Sequence, residues 1–115
     1  MSYDLGLYKD KKAVVVKLFV EGGTYPVAGS VIAELNVTYN YGWFFFHLLD
    51  KKKGIRWLYG KQAKNTLKRL SKAVKELGTH TDRNYWLPTP GNAGYTLNIL
   101  RNWAKQHPTA TWQGD

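Results

Sequence analysis

The sequence predicts an α+β fold: an antiparallel sheet of three or four strands packed by two main helices, in a two-layer single domain. Three observations carry this. Residues 34–41 alternate apolar and polar. Two later segments repeat apolar residues at helical spacing. The connection between the first two strand-like segments is too short for a crossover helix, which makes the sheet antiparallel.

The elements follow in order. Residues 3–8 and 13–20 are rich in β-prone side chains, and the polar turn Lys9-Asp10-Lys11-Lys12 joins them as a hairpin. Glu21-Gly22-Gly23-Thr24-Tyr25-Pro26 is a glycine-rich connection. It lacks the G-x-x-x-x-G-K-[ST] pattern of a phosphate-binding loop, although its glycines suit a backbone that comes close to something. In residues 34–41, Leu35, Val37, Tyr39 and Tyr41 fall on one face, and Glu34, Asn36, Thr38 and Asn40 on the other. Trp43–Leu49 fits either a strand or a short helix.

Gly60–Leu77 reads as one helix, with Ala63, Leu67, Leu70, Val74 and Leu77 on a stripe and Lys61, Lys64, Lys68, Lys72 and Lys75 opposite. Gly78 supplies its stop. A second helix is predicted from Thr89 as N-cap and Pro90 as first helical residue, through Ala93, Leu97, Leu100 and Ala104 to a stop at Pro108. Residues 111–115 fit a short edge strand or a tail that docks Trp112.

Composition narrows the function. The chain has 115 residues, suited to one domain, and its 43% hydrophobic content argues against disorder. It has no cysteine, which removes disulfides, thiolate ligands and cysteine nucleophiles together. His47, His80 and His107 lie far apart, none at a metal-ligand spacing, so a zinc site is not expected; no cofactor is expected either. The start, Met-Ser-Tyr-Asp-Leu, lacks a signal-peptide pattern, and no apolar run is long enough to span a membrane; the expected location is the cytoplasm. The formal net charge of +9 draws the protein toward phosphates or acidic partners. The partner classes left open are an anionic ligand (nucleotide or nucleic acid), an acidic host protein, and a second copy of the chain.

Two candidate sites emerge. From Lys51 to Lys75 there are ten Lys or Arg and no acid: Lys51, Lys52, Lys53, Arg56, Lys61, Lys64, Lys68, Arg69, Lys72 and Lys75. Like charges at i, i+4 repel, and an anionic partner relieves that repulsion and releases counterions. Trp43, Trp57 and Tyr59 lie close enough in sequence to stack on bases, and serve equally well as core. The second site joins the loop Asp82–Pro88, with Tyr85 and Trp86, to the helix start at Thr89. Gly91 and Gly94 leave the first turn unobstructed, and unpaired N–H groups there favour an anion. Asn92 has an amide to contribute. Asn36, Thr38 and Asn40 add a polar wall, and Glu21 and Thr24 the glycine-rich loop. The competing reading is structural: Thr89 caps, Trp86 fills the core, and the glycines allow close packing.

Several of these pieces together resemble a family of small uncharacterised proteins found in bacteriophages and bacterial genomes. They are Glu21-Gly22-Gly23-Thr24-Tyr25, Glu34-Leu35-Asn36-Val37-Thr38-Tyr39-Asn40-Tyr41, Tyr85-Trp86 followed by Thr89-Pro90-Gly91-Asn92-Ala93-Gly94, Trp103-Ala104, His107-Pro108 and Trp112-Gln113-Gly114-Asp115. The resemblance implies a counter-defence or host-takeover role, such as an anti-CRISPR or immune inhibitor. The lysine stripe lies outside the matching pieces.

Catalysis needs a nucleophile with a base, paired carboxylates or a metal. The acids are scattered, and a nucleotide hydrolase would need Glu21, Glu34 and Asp82 to converge. The favoured expectation is a non-enzymatic binder, taking a nucleotide-like anion at Asn36, Asn40 and Thr89–Gly94 or engaging a nucleic-acid-handling host complex. Direct DNA or RNA binding through residues 61–75 is the first alternative, and the hydrolase the second.

Overall fold

The computed structural model describes residues 1–16 and 32–115. Glu21, Thr24 and the rest of the glycine-rich connection lie outside the described residues, as does the second half of the segment 13–20. Among the described residues the architecture is α+β, with a four-stranded antiparallel sheet and three α-helices.

β1 (Ser2–Lys9) is the hub of the sheet. It pairs antiparallel with β2 (Lys12–Ala13), β3 (Glu34–Thr38) and β4 (Thr111–Gly114). The β1–β2 hairpin turns on Asp10 and Lys11, with φ of 52° and 66°. Two consecutive positive φ values match the right-handed twist of the flanking strands, which is why a two-residue loop adopts them. Along β1 and β3, Tyr3, Leu5, Leu7, Leu35 and Val37 point inward and are buried. Asp4, Glu34 and Asn36 point out.

The alternation expected to Tyr41 stops at Thr38. The Thr38 hydroxyl accepts from the Asn40 amide at 3.2 Å, and the chain turns into a 3-10 segment, Tyr39–Tyr41. Such a side-chain bond competes with the strand ladder. Tyr39 is consequently exposed, while Tyr41 is buried. The aromatic segment that fitted either state is helical: α1 (Gly42–Leu48) buries Gly42 and Phe45 and leaves Trp43 and His47 outside.

The helix expected from Gly60 begins only at Leu67. α2 spans Leu67–Leu77, preceded by a 3-10 turn, Ala63–Asn65. Tertiary pairing explains the late start. Gly60, at φ 84°, donates to the Trp112 carbonyl at 2.8 Å, and Trp112 donates back to Lys61 at 3.0 Å. Residues 60–63 are therefore held against β4 and are not available to a helix. Thr66 seals this junction from inside the core. Its hydroxyl donates to the Ala63 carbonyl (2.7 Å) and accepts from the Trp112 indole (3.0 Å).

α3 (Pro90–Gln106) starts where its cap and proline place it. Ala93, Leu97, Leu100 and Ala104, the expected stripe, are fully buried together with Trp103. The helix ends just before Pro108. β4 settles the tail: it is a strand, and it also docks Trp112 in the core. No helix of the described residues is long and apolar enough to cross a membrane.

Candidate functional site

The N-terminus of α3 is built by its own sequence and then covered by its own chain. The Thr89 hydroxyl accepts from the Asn92 amide at 3.1 Å, a side-chain cap. Gly91 and Gly94 do not face open space. A Cβ on Gly91 would lie 1.7 Å from the His80 carbonyl oxygen, and one on Gly94 1.9 Å from that of Gly78. The glycines let the segment 78–80 lie directly on the helix, so the approach expected for an anion is filled by backbone.

Asn92 is buried and its amide is occupied. Its Oδ1 accepts from the Asp82 amide (2.9 Å), and its Nδ2 donates to the carbonyls of Asn84 (3.2 Å) and Leu87 (3.0 Å). Asp82 accepts from the Asn84 amide (2.8 Å) and Asn84 from that of Trp86 (3.1 Å). The loop is thus a nested set of Asx turns hung on one buried asparagine.

Other predicted residues join this network. Asn40 donates to the Trp86 carbonyl at 2.8 Å, and the Tyr41 hydroxyl donates to that of Tyr85. Burial, with a smaller contribution from the Tyr85 phenol, pushes Tyr41 up to about 12. Asn40, Tyr85, Trp86, Thr89, Gly91 and Asn92 therefore come together, with Thr38 behind Asn40.

Asn36 does not join them. It lies on the outer sheet face, donating to Ser2 Oγ (2.5 Å) and Asp4 Oδ1 (2.6 Å). There it lines an open concavity of about 430 Å³ with Asp4, Tyr8, Glu34 and Gln113. Glu34 accepts from the Tyr8 hydroxyl at 3.3 Å. Glu34 and Asp82 sit in separate networks. No cluster of three His, Asp or Glu suited to a metal occurs among the described residues.

The basic stretch folds into something more specific than a stripe. Lys61 and Lys64 precede α2; Lys68, Arg69, Lys72 and Lys75 ride on it. Its centre is Trp57, in the 3-10 turn Gly54–Leu58. The Arg69 guanidinium lies 4.2 Å from the Trp57 ring centroid and the Lys61 ammonium 4.6 Å, both in cation–π range. Lys61 also donates to the Trp57 carbonyl at 2.6 Å, and Arg69 to that of Leu49 at 2.9 Å. Burial, then Lys53 and Arg69, push the Lys61 ammonium below its ordinary value. Two cations therefore bracket Trp57, and the Lys53 charge acts on Lys61 as well. Asp50 is the acid beside them; its Oδ2 accepts from the amides of Lys53 (2.7 Å) and Lys52 (3.0 Å), and the Lys53 bond is the main cause of its lowered pKa. Lys64, Lys68, Lys72 and Lys75 are exposed.

Sequence reasoning named Trp57, with Trp43 and Tyr59, as able to stack on bases or to serve as core, and did not place it between two cations. The Trp57–Lys61 spacing was visible; the approach of Arg69 depends on the late start of α2 and was not. Asp50 as a clasp for the 51–53 loop was also missed, although an Asp followed by lysines in a loop is an Asx-turn signal. No family model, curated protein or solved structure matches the chain.

Proposed function

We propose that the protein is a non-enzymatic nucleic-acid binder that works through the basic surface of residues 51–75. The observation that carries this reading is the bracketing of the Trp57 ring by Lys61 and Arg69, with the Lys53 charge acting on Lys61 and one acid, Asp50, beside them. Mutual repulsion among these cations, partly offset by Asp50, works against this arrangement in the free protein. A phosphate backbone removes that cost and adds the entropy of released counterions. The exposed row Lys64, Lys68, Lys72 and Lys75 extends the surface along α2. The same chemistry would serve a phage-type counter-defence protein that engages a nucleic-acid-handling host complex. The small-anion reading has less support, because the space beside Gly91 and Gly94 is taken by residues 78–80.

Fluorescence anisotropy with a labelled oligonucleotide over a salt series tests this. The expected result is binding whose log affinity falls linearly with log salt, and its loss in a Lys64→Glu/Lys68→Glu/Lys72→Glu variant that melts like the wild type. Undiminished binding in that variant, or none by the wild type at low salt, refutes the proposal. In parallel, a thermal-shift screen with mononucleotides is expected to show no stabilisation.

A further inference from the structure

Among the described residues, the exposed Phe, Tyr and Trp side chains are Tyr39, Trp43, Phe46, Tyr85 and Trp86. All five come from two segments, 39–46 and 85–86. Those segments are stitched together: Asn40 donates to the Trp86 carbonyl and Tyr41 to the Tyr85 carbonyl. The two segments that carry the exposed aromatics therefore adjoin at residues 40–41 and 85–86. The loop that presents two of them is held unusually firmly. Four consecutive carbonyls, of Asn84, Tyr85, Trp86 and Leu87, each accept a side-chain bond, from Asn92, Tyr41, Asn40 and Asn92 again. The backbone is tied inward while Trp86 remains 49% exposed and Trp43 63%. Large aromatics on a fixed backbone lose little conformational entropy when they are covered.

The helix α1 runs from this junction to the basic surface. α1 is about 10 Å long. One end follows Tyr41, which is bonded to the aromatic loop. The other meets the basic surface, where Arg69 donates to the Leu49 carbonyl. On the exposed side between them, Trp43 stacks on His47 at 4.0 Å.

From this juxtaposition we infer that the nucleic acid is single-stranded, with bases stacking on Trp43 and Trp86 while Lys53, Lys61 and Arg69 hold its phosphates. Duplex bases are already stacked and offer these side chains only their edges. An unpaired strand offers whole faces, and a face is what an exposed indole recognises without regard to base identity. The inference rests on the nucleic-acid reading above and goes beyond it by naming the strand state and the residues that sense it.

The test compares an oligothymidine and a duplex of equal length at fixed salt, with the wild type, Trp43→Ala, Trp86→Ala and Trp86→Phe. The single strand is expected to bind more tightly. Each alanine variant should lose about 5- to 100-fold for the single strand, with duplex binding changed by less than about twofold, and Trp86→Phe should retain most of the affinity. Thermal melts confirm that the variants remain folded. Equal affinity for both nucleic acids, with neither alanine variant affected, overturns the inference and leaves the basic surface standing. Absence of any salt-sensitive binding overturns both. If sedimentation shows a wild-type dimer that Trp86→Ala dissociates, the aromatics meet a second copy and the inference also fails.

Discussion

The two long helices divide the work of the domain in opposite ways. In α3, every residue from Gly91 to Leu97 is buried, polar ones included. In α2, only Leu70 and Ala73 are fully buried, and the opposite face carries Lys68, Lys72 and Lys75. Unusual chemistry in a sequence draws attention to α3, with its Thr-Pro-Gly-Asn-Ala-Gly start. In the fold those residues serve packing and turn geometry, as a cap, a first-turn proline, two close contacts and a loop anchor. The plainer lysine repeat of α2 is what remains available to a partner. Distinctive residues in a buried first turn signal a demanding packing problem as readily as a ligand.

Breaking that contrast begins at Gly91. With the His80 carbonyl oxygen 1.7 Å from where a methyl group would sit, Gly91→Ala forces backbone to move. The expected cost is about 3 kcal/mol or more, read as a fall in melting midpoint of more than about 10 °C. A melt within a degree or two of wild type would mean the first turn of α3 adapts and has room for a ligand after all. Asn92→Ala comes next. It strands the Asp82 amide and two carbonyls, at an expected cost of about 2 kcal/mol, with faster amide exchange confined first to residues 82–87. Thr89→Ala removes one capping bond and is expected to cost about 1 kcal/mol by chemical denaturation.

Alkaline titration sharpens the picture of the loop clamp. Burial raises the Tyr41 phenol from 10.0 to about 12, so the folded protein holds this proton more tightly than the unfolded chain. The stabilisation is therefore fully present below about pH 10, the ordinary tyrosine value, and is lost as pH rises toward 12. Tyr59 is likewise raised to about 12, again chiefly by burial. Ultraviolet titration should show both ionising late, with Tyr41→Phe removing one of them and loosening residues 85–86. The smallest stability effect belongs to α2. Lys68→Ala/Lys72→Ala should leave the unfolding free energy within about 0.5 kcal/mol of wild type, because no buried contact is removed. If it destabilises strongly, the lysine face is structural and the contrast between the helices collapses.

What the sequence disclosed depends on the range of the interactions involved. The start of α3 was legible because capping and proline placement act within three residues. The ends of β3 and α2 were not. Tyr39 and Tyr41 keep the period of a strand, yet the Thr38 hydroxyl captures the Asn40 amide and turns the chain. Lys61 and Ala63 keep the period of a helix, yet Trp112 of β4 and Ala110 just before it, far along the chain, take their backbone. Within the candidate sites, the polar residues around Asn92 lie beside Tyr85 and Trp86 in the fold as they do in the sequence, because the turns that join them are local. Asn36 was grouped with them by strand alternation alone, and the sheet carries it away to Asp4. Of the bracket around Trp57, the Lys61 side had a local i, i+4 signature and the Arg69 side, from α2, had none.

The position of β1 has a kinetic consequence. Leu5 pairs with Gly114 and Leu7 with Trp112, so strands more than a hundred residues apart close the sheet. Closing so long a loop costs entropy before any contact repays it, and topologies of this kind fold slowly. During synthesis, β1 leaves the ribosome long before the strand that covers its second edge. Trp112, buried against Thr66, is the plug that arrives late. Until it arrives, residues 60–66 lack the partner that prevents them from continuing α2 backward, and the nascent chain is free to sample the longer helix that its lysine repeat describes.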